Sequence, residues 1–179
     1  DLGGAPLTYM LRGVLLGLAY GLIWFLAKQE SGPRTATIIT IIMGLASSGN
    51  WVMRTQLFAY PLFALCLYSL FAWQKGNNRY LWILPVSMVL WANLHGSFIL
   101  GLVLAGTAFV FGTGNRKPIL IALILMLAGT LVTPHGLNAW RQVIFMLNNP
   151  SDQLFSTEWF PPKNEGWQAN IFFAWILAL

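Results

Sequence analysis

The chain has 179 residues, of which 57% are hydrophobic and 8% are charged, and its formal net charge is +5. A soluble domain carries roughly 25% charged residues, so this composition excludes an ordinary water-soluble domain and predicts a surface that mostly faces lipid. The 10 basic residues are scattered between apolar segments, so membrane topology explains the net charge better than nucleic-acid binding does.

Apolar segments alternate with short polar or Gly- and Pro-containing loops along the chain. This alternation predicts an all-α fold, a polytopic transmembrane helical bundle. The predicted spans are about 10–27, 35–49, 57–73, 81–93, 97–112, 118–132 and 169–179 onward.

Both ends of the chain suggest a piece of a longer protein. The first residue is Asp1 rather than methionine, and the last apolar run stops at Leu179. A spanning helix needs about 20 apolar residues, so the run from 169 to 179 is too short by itself. We therefore expect residues 1–179 to form a single transmembrane domain that is truncated at both ends.

The stretch from Leu81 to Phe111 is too long for one ordinary span and short for two. A polar cluster that ends in glycine, Asn93–Gly96, lies near its middle and is typical of a tight turn between two short helices. The alternative is one long, tilted helix with buried polar groups.

The distribution of charge favours the turn. With a turn at Asn93–Gly96, loops 28–34, 74–79 and 112–117 share one side, which holds six basic residues and one acidic residue. The other side then holds four of each sign. Because short cytoplasmic loops carry an excess of Lys and Arg, we expect the three basic loops to be cytoplasmic.

Residues 134–148 have the pattern of an amphipathic helix. Thr133 and Pro134 suggest an N-cap followed by proline at the first helical position. Leu137, Trp140 and Ile144 recur at helical spacing, together with Val143 and Leu147. The pattern predicts a helix that lies in the membrane interface, and the alternative is a helix packed on the other spans.

Unusual polar residues gather on the predicted non-cytoplasmic side. They are Arg54, Gln56, Asn93, His95, His135, Glu158 and Trp159. Ionisable groups near a membrane are costly, so they usually pair or mark a function.

Each of these candidates also has a structural interpretation. Arg54 either reaches a lipid head group or offers a guanidinium fork to a phosphate. His95 is either a hydrogen-bonded structural residue or a phosphate donor, an acid or base, or a metal ligand. His135 suits turn structure better than ligand binding, and Glu158 is either a solvated acid or a metal ligand or base. The sequence has no zinc-ligand spacing, so no metal site is predicted.

Four stretches together resemble a known group of proteins. They are RTQLFAYPLFALCLY at 54–68, LWILPVSMVLWANLHGSFILGL at 81–102, LVTPHGLNAW at 131–140 and STEWFPP at 156–162. They resemble bacterial multi-spanning members of the GT-C glycosyltransferase superfamily, the relatives of polyprenyl- and dolichyl-phosphate-mannose mannosyltransferases. The resemblance covers nearly the whole chain.

This resemblance implies a GT-C-like enzyme of the bacterial inner membrane, with its site facing the periplasm or exterior. It would transfer a sugar from a polyprenyl-phosphate donor, and the candidate residues would bind the lipid phosphate or the substrate. The catalytic carboxylate of such enzymes would lie upstream of Asp1. Whether a divalent cation takes part is left open. The rival functions are a membrane transporter, which would place ionisable residues at mid-bilayer, and a non-catalytic membrane scaffold.

Overall fold

A computed structural model describes residues 4–149 and 165–177, and these residues form helices, turns and no strand. The predicted all-α class is therefore confirmed for this part of the chain. In chain order the helices are α1 (Gly4–Ser47), α2 (Ala59–Gln74), α3 (Ile83–Leu94), α4 (Phe98–Phe111), α5 (Arg116–Gly129), α6 (Asn138–Asn148) and α7 (Gly166–Leu177). Short 3-10 helices occur at Ser48–Asn50, Thr55–Phe58 and Asn78–Trp82.

Helix α1 folds back on itself at Gly32. This residue has φ 79° and ψ 167°, a conformation that glycine adopts easily, and Pro33 follows it. Trp24 Nε1 donates a hydrogen bond to Thr37 Oγ1 at 3.0 Å, although 13 residues of straight helix would span about 20 Å. The two arms, 4–31 and 33–47, therefore lie antiparallel, and the reversal falls inside the predicted loop 28–34.

The chain also reverses between α3 and α4. Helix α3 ends at Leu94 and α4 begins at Phe98. A Cβ atom on Gly101 would lie 2.8 Å from Met88 Cε and 3.0 Å from Trp91 Cζ3, so the two helices pack closely after the turn. The tight turn predicted at Asn93–Gly96 is confirmed, and the alternative of one long helix is wrong.

The core lies where α2, α3, α4 and α5 pack together, and α1 covers it through α2. Trp73, Trp91 and Met126 are fully buried there. Helix α7 packs against α1.

The three basic loops lie at one end of this bundle. Lys75 Nζ forms an ion pair with Glu30 Oε1 at 2.5 Å, which joins loops 28–34 and 74–79. Trp73 Nε1 donates to the carbonyl oxygen of Asn115 at 2.9 Å, which joins the end of α2 to loop 112–117. The charge asymmetry of the sequence is therefore also an asymmetry in space, and we call this part of the molecule the basic end.

Helix α6 begins at Asn138, four residues later than the sequence pattern predicts. Residues 133–137 form turns instead, and Gly136 has a positive φ of 48°. The predicted N-cap role of Thr133 is wrong, because Leu137 occupies the N-cap position. Gly136 holds a left-handed backbone conformation that a right-handed α-helix does not contain, so the helix begins only after this residue.

The apolar face of α6 is divided between two environments. Trp140 and Val143 pack against the core of the bundle. Leu137, Ile144 and Leu147 remain exposed. The face thus contacts the other helices along one edge and leaves apolar surface along the other. An interfacial position in a membrane stays a prediction.

Two helices, Gly4–Asn50 and Thr55–Gln74, are long and apolar enough to cross a membrane. Of their most apolar windows, 11% and 33% are buried inside the protein, whereas the core helix of a soluble protein is mostly buried. Length, composition and this exposed apolar surface support association with a membrane.

The other predicted spans are shorter. Helices α3, α4 and α5 have 12, 14 and 14 residues, against the about 20 that a span needs. The polytopic arrangement therefore stays a prediction.

The close packing at Gly101 leads to a testable expectation. Gly101→Ala should lower the free energy of unfolding by about 1–3 kcal/mol, because the new methyl group overlaps the ring of Trp91. Gly106→Ala, in the same helix, meets no atom within 4 Å and should raise stability by about 0.5–1 kcal/mol through helix propensity. Unfolding of both variants in detergent measures the difference. Equal stability would contradict the packing of α3 on α4.

Candidate functional site

Two adjoining cavities lie at the end of the bundle opposite the basic end. The larger, of 410 Å³, is lined by Gln56, His95 and Gly96 together with apolar residues of α4 and α6. The smaller, of 300 Å³, lies between the two arms of α1, α2 and α4. Gln56, Ser97 and Leu100 line both, so the cavities share a wall.

The two cavities differ in their chemistry. The larger carries polar groups where the chain turns between α3 and α4, and its remaining wall is apolar, with Val143 and Met146 from α6. The smaller is lined mostly by apolar and aromatic side chains such as Ile23, Met43 and Phe63. Two mostly apolar cavities, one of which carries an imidazole and an amide in its wall, suit a ligand with a polar head and a hydrocarbon tail.

His95 is held by a short hydrogen-bond network. The backbone N–H of Ser97 donates to His95 Nδ1 at 3.1 Å, and Ser97 Oγ lies 2.8 Å from the same nitrogen. Trp91 Nε1 donates to Ser97 Oγ at 3.1 Å, so the serine hydroxyl has its own proton to give to the imidazole. Nδ1 is therefore an acceptor, which favours the neutral tautomer with its N–H at Nε2.

The wall of the smaller cavity includes a second polar contact that joins the two arms of α1. The hydroxyl groups of Tyr20 and Ser47 form a hydrogen bond, and Trp51 Nε1 donates to the Tyr20 hydroxyl at 3.2 Å. In a straight helix, residues 27 positions apart would be about 40 Å apart. Sequence reasoning missed Tyr20, Ser47 and Ser97, because each is a single polar group inside or beside an apolar run.

Asn93 serves to join two helices. Its Nδ2 donates to the carbonyl oxygens of Val89 and Val132, each at 2.8 Å. These bonds tie the end of α3 to the segment that follows α5. Because the amide nitrogen is used in this way, an interaction of Asn93 with a ligand would involve Oδ1.

The remaining candidates occupy different places. Arg54 is exposed and lies two residues before Gln56, at the N-cap of the 3-10 helix Thr55–Phe58. His135 is exposed in the turn before α6, where its carbonyl oxygen accepts from the N–H of Asn138 at 2.9 Å. Glu158 and Trp159 lie outside the described residues. The structure thus brings Gln56 and His95 to one cavity and places Arg54 next to Gln56 along the chain.

Within residues 4–149 and 165–177, no group of three or more His, Cys, Asp or Glu residues is arranged to hold a metal ion. Among the described residues, the polar groups that line the larger cavity are the Gln56 amide, the His95 imidazole and the Ser97 hydroxyl. Comparison of the chain with family models, with curated proteins and with solved structures finds no match.

Proposed function

We propose that the chain is part of a polytopic, GT-C-like glycosyltransferase of the bacterial inner membrane that uses a polyprenyl-phosphate sugar as its donor. The observation that carries this proposal is the pair of adjoining cavities, one with polar groups at Gln56 and His95 and one with mostly apolar walls. A lipid-linked sugar has the same division, because its charged phosphate and sugar join an apolar chain.

In this function the phosphate lies near the turn between α3 and α4. The N–H at His95 Nε2 and the amide of Gln56 donate hydrogen bonds, and the Arg54 guanidinium supplies positive charge. The prenyl chain occupies the apolar cavity between α1, α2 and α4. The charge distribution of the loops supports a non-cytoplasmic location for this end, facing the periplasm or exterior.

The reaction is an inverting sugar transfer. A carboxylate of the enzyme removes the proton of an acceptor hydroxyl, whose oxygen attacks the anomeric carbon of the sugar. The bond between that carbon and the phosphate oxygen breaks, and polyprenyl phosphate leaves with the electron pair. His95 and Arg54 stabilise the negative charge that develops on the leaving phosphate.

Binding of a polyprenyl-phosphate sugar to the purified protein tests this function. We expect saturable binding that polyprenyl phosphate competes and that the uncharged polyprenol competes poorly. Equal competition by the polyprenol would show that the phosphate is not recognised. Uptake of a solute into proteoliposomes without any binding of lipid phosphate would instead support a transporter.

The orientation of the two ends leads to a separate prediction. Asn77 is exposed at the basic end, and Gln142 is exposed on α6. In a background with Cys66→Ala, we expect Asn77→Cys to react with a membrane-impermeant thiol reagent only after the cells are opened. Gln142→Cys should react in intact spheroplasts. Labelling of both from the same side would contradict the proposed topology.

A further inference from the structure

A further cavity, lined by both polar and apolar residues, lies at the basic end. It has a volume of 350 Å³, within the range of small-ligand sites. Its polar lining comes from Asn78, Arg79, Asn115 and Lys117, and its apolar lining comes mainly from α5 and the 3-10 helix Asn78–Trp82. We call it the basic cleft.

The charges around the basic cleft favour an anion. Arg79 and Lys117 line it directly. The acidic residue of the three basic loops, Glu30, is held in an ion pair with Lys75 at 2.5 Å and so is engaged by another cation. The cleft therefore presents two cations from different elements of the fold.

The apolar side of the basic cleft indicates which kind of anion it takes. Trp82 and Ile121 line the cleft and are 62% and 49% exposed. On the same helix as Ile121, Ile124 is 57% exposed, so the apolar wall continues along α5. A free phosphate needs no such wall, whereas the acyl chains of a phospholipid do.

Asn78 supplies a further observation. Its Oδ1 is buried and has no hydrogen-bond partner among the described residues. A buried acceptor without a partner costs free energy, and Asn78 is one of the residues that line the cleft. Because Oδ1 accepts hydrogen bonds, it suits a head group that carries a hydroxyl besides its phosphate.

We infer that the basic cleft binds the head group of an anionic glycerophospholipid, with Arg79 and Lys117 on the phosphate and Asn78 on a head-group hydroxyl. Phosphatidylglycerol has this chemistry. The site goes beyond the proposed glycosyl transfer, because it lies at the opposite end of the bundle. It would anchor the protein to the leaflet at its basic end.

The test compares two double variants that remove the same charge. The protein is placed in phosphatidylcholine nanodiscs that contain increasing amounts of phosphatidylglycerol, and bound lipid is counted by native mass spectrometry. Arg79→Gln with Lys117→Gln should weaken phosphatidylglycerol retention about 30-fold, from two lost basic contacts. The control, Arg12→Gln with Arg141→Gln, changes basic residues outside the cleft and should change retention less than about threefold.

Equal losses in the two double variants would overturn the inference, since net charge alone would then explain retention. Displacement of the lipid by inorganic phosphate would also overturn it, because the site would then bind free phosphate. A second measurement replaces Asn78 with alanine. Asn78→Ala should abolish the preference for phosphatidylglycerol over phosphatidylmethanol, which has the same phosphodiester and no hydroxyl, and an unchanged preference would remove Asn78 from the site.

The same variants keep this inference separate from the proposed function. Arg79→Gln with Lys117→Gln should bind the polyprenyl-phosphate sugar as the unmodified protein does, because neither residue lines the cavities at the opposite end. A different result would be a protein that retains phosphatidylglycerol, loses this retention in the double variant and binds no polyprenyl phosphate. That result would support the basic cleft and disprove the transferase.

Discussion

Replacing Trp73 with alanine is expected to lower the free energy of unfolding by about 3–5 kcal/mol. The indole is fully buried, and its Nε1 donates to the carbonyl oxygen of Asn115 at 2.9 Å. Gly112 and Gly114 pack on the ring so closely that a Cβ atom on either would lie 2.6 Å or 2.5 Å from it. Alanine would therefore leave a large cavity and release the loop that leads into α5.

Denaturant unfolding in detergent, followed by circular dichroism, measures this effect. Trp167→Ala is the matched control, because Trp167 is 53% exposed on α7 and should cost far less. Cysteine labelling at Thr113 provides a second readout, since a released loop should react faster in the Trp73 variant. Similar stability of the two tryptophan variants would mean that Trp73 does not hold this end of the bundle together.

Replacing Arg54 with alanine is expected to weaken polyprenyl-phosphate binding by about one to two powers of ten. Losing one hydrogen bond to a charged group typically costs about 1.5–3 kcal/mol. Arg54→Lys should recover only part of the loss, because an ammonium group cannot reproduce the planar fork of a guanidinium. Titration of the purified variants with a labelled polyprenyl-phosphate sugar measures both values.

Arg141→Ala controls for the loss of positive charge in this prediction. Arg141 is also exposed, and its Nη1 donates to Asn138 Oδ1 at 3.4 Å on α6. We expect the affinity of the Arg141→Ala variant for the polyprenyl-phosphate sugar to stay within about threefold of that of the unmodified protein, as for other exposed charges.

His95→Ala should lower the rate of sugar transfer more than it lowers the stability of the protein. Unchanged binding in the Arg54 and His95 variants, with the fold intact, would reduce both residues to structural roles.

The positions of the chain reversals followed from local chemistry. A glycine followed by a proline, as at Gly32 and Pro33, disfavours a continuous helix, so a reversal within loop 28–34 could be predicted without knowledge of the neighbouring helices. The polar cluster Asn93–Gly96 likewise predicted the end of α3. The start of α6 was missed by four residues, because the capping pattern of Thr133 and Pro134 looked correct while Gly136 adopted a positive φ.

The sequence by itself determined the helical class, the apolar surface and the segregation of basic loops, since these depend on residue type and on order along the chain. Only the tertiary structure decided which polar groups meet. Gln56 and His95 share a cavity because α2, α3 and α4 pack together, and Asn93 joins α3 to Val132 across 39 positions. The basic cleft and the close packing of Gly112 and Gly114 on the Trp73 ring also depend on the tertiary structure. Such contacts depend on how side chains of distant helices fit together, and periodicity along one helix carries no information about that fit.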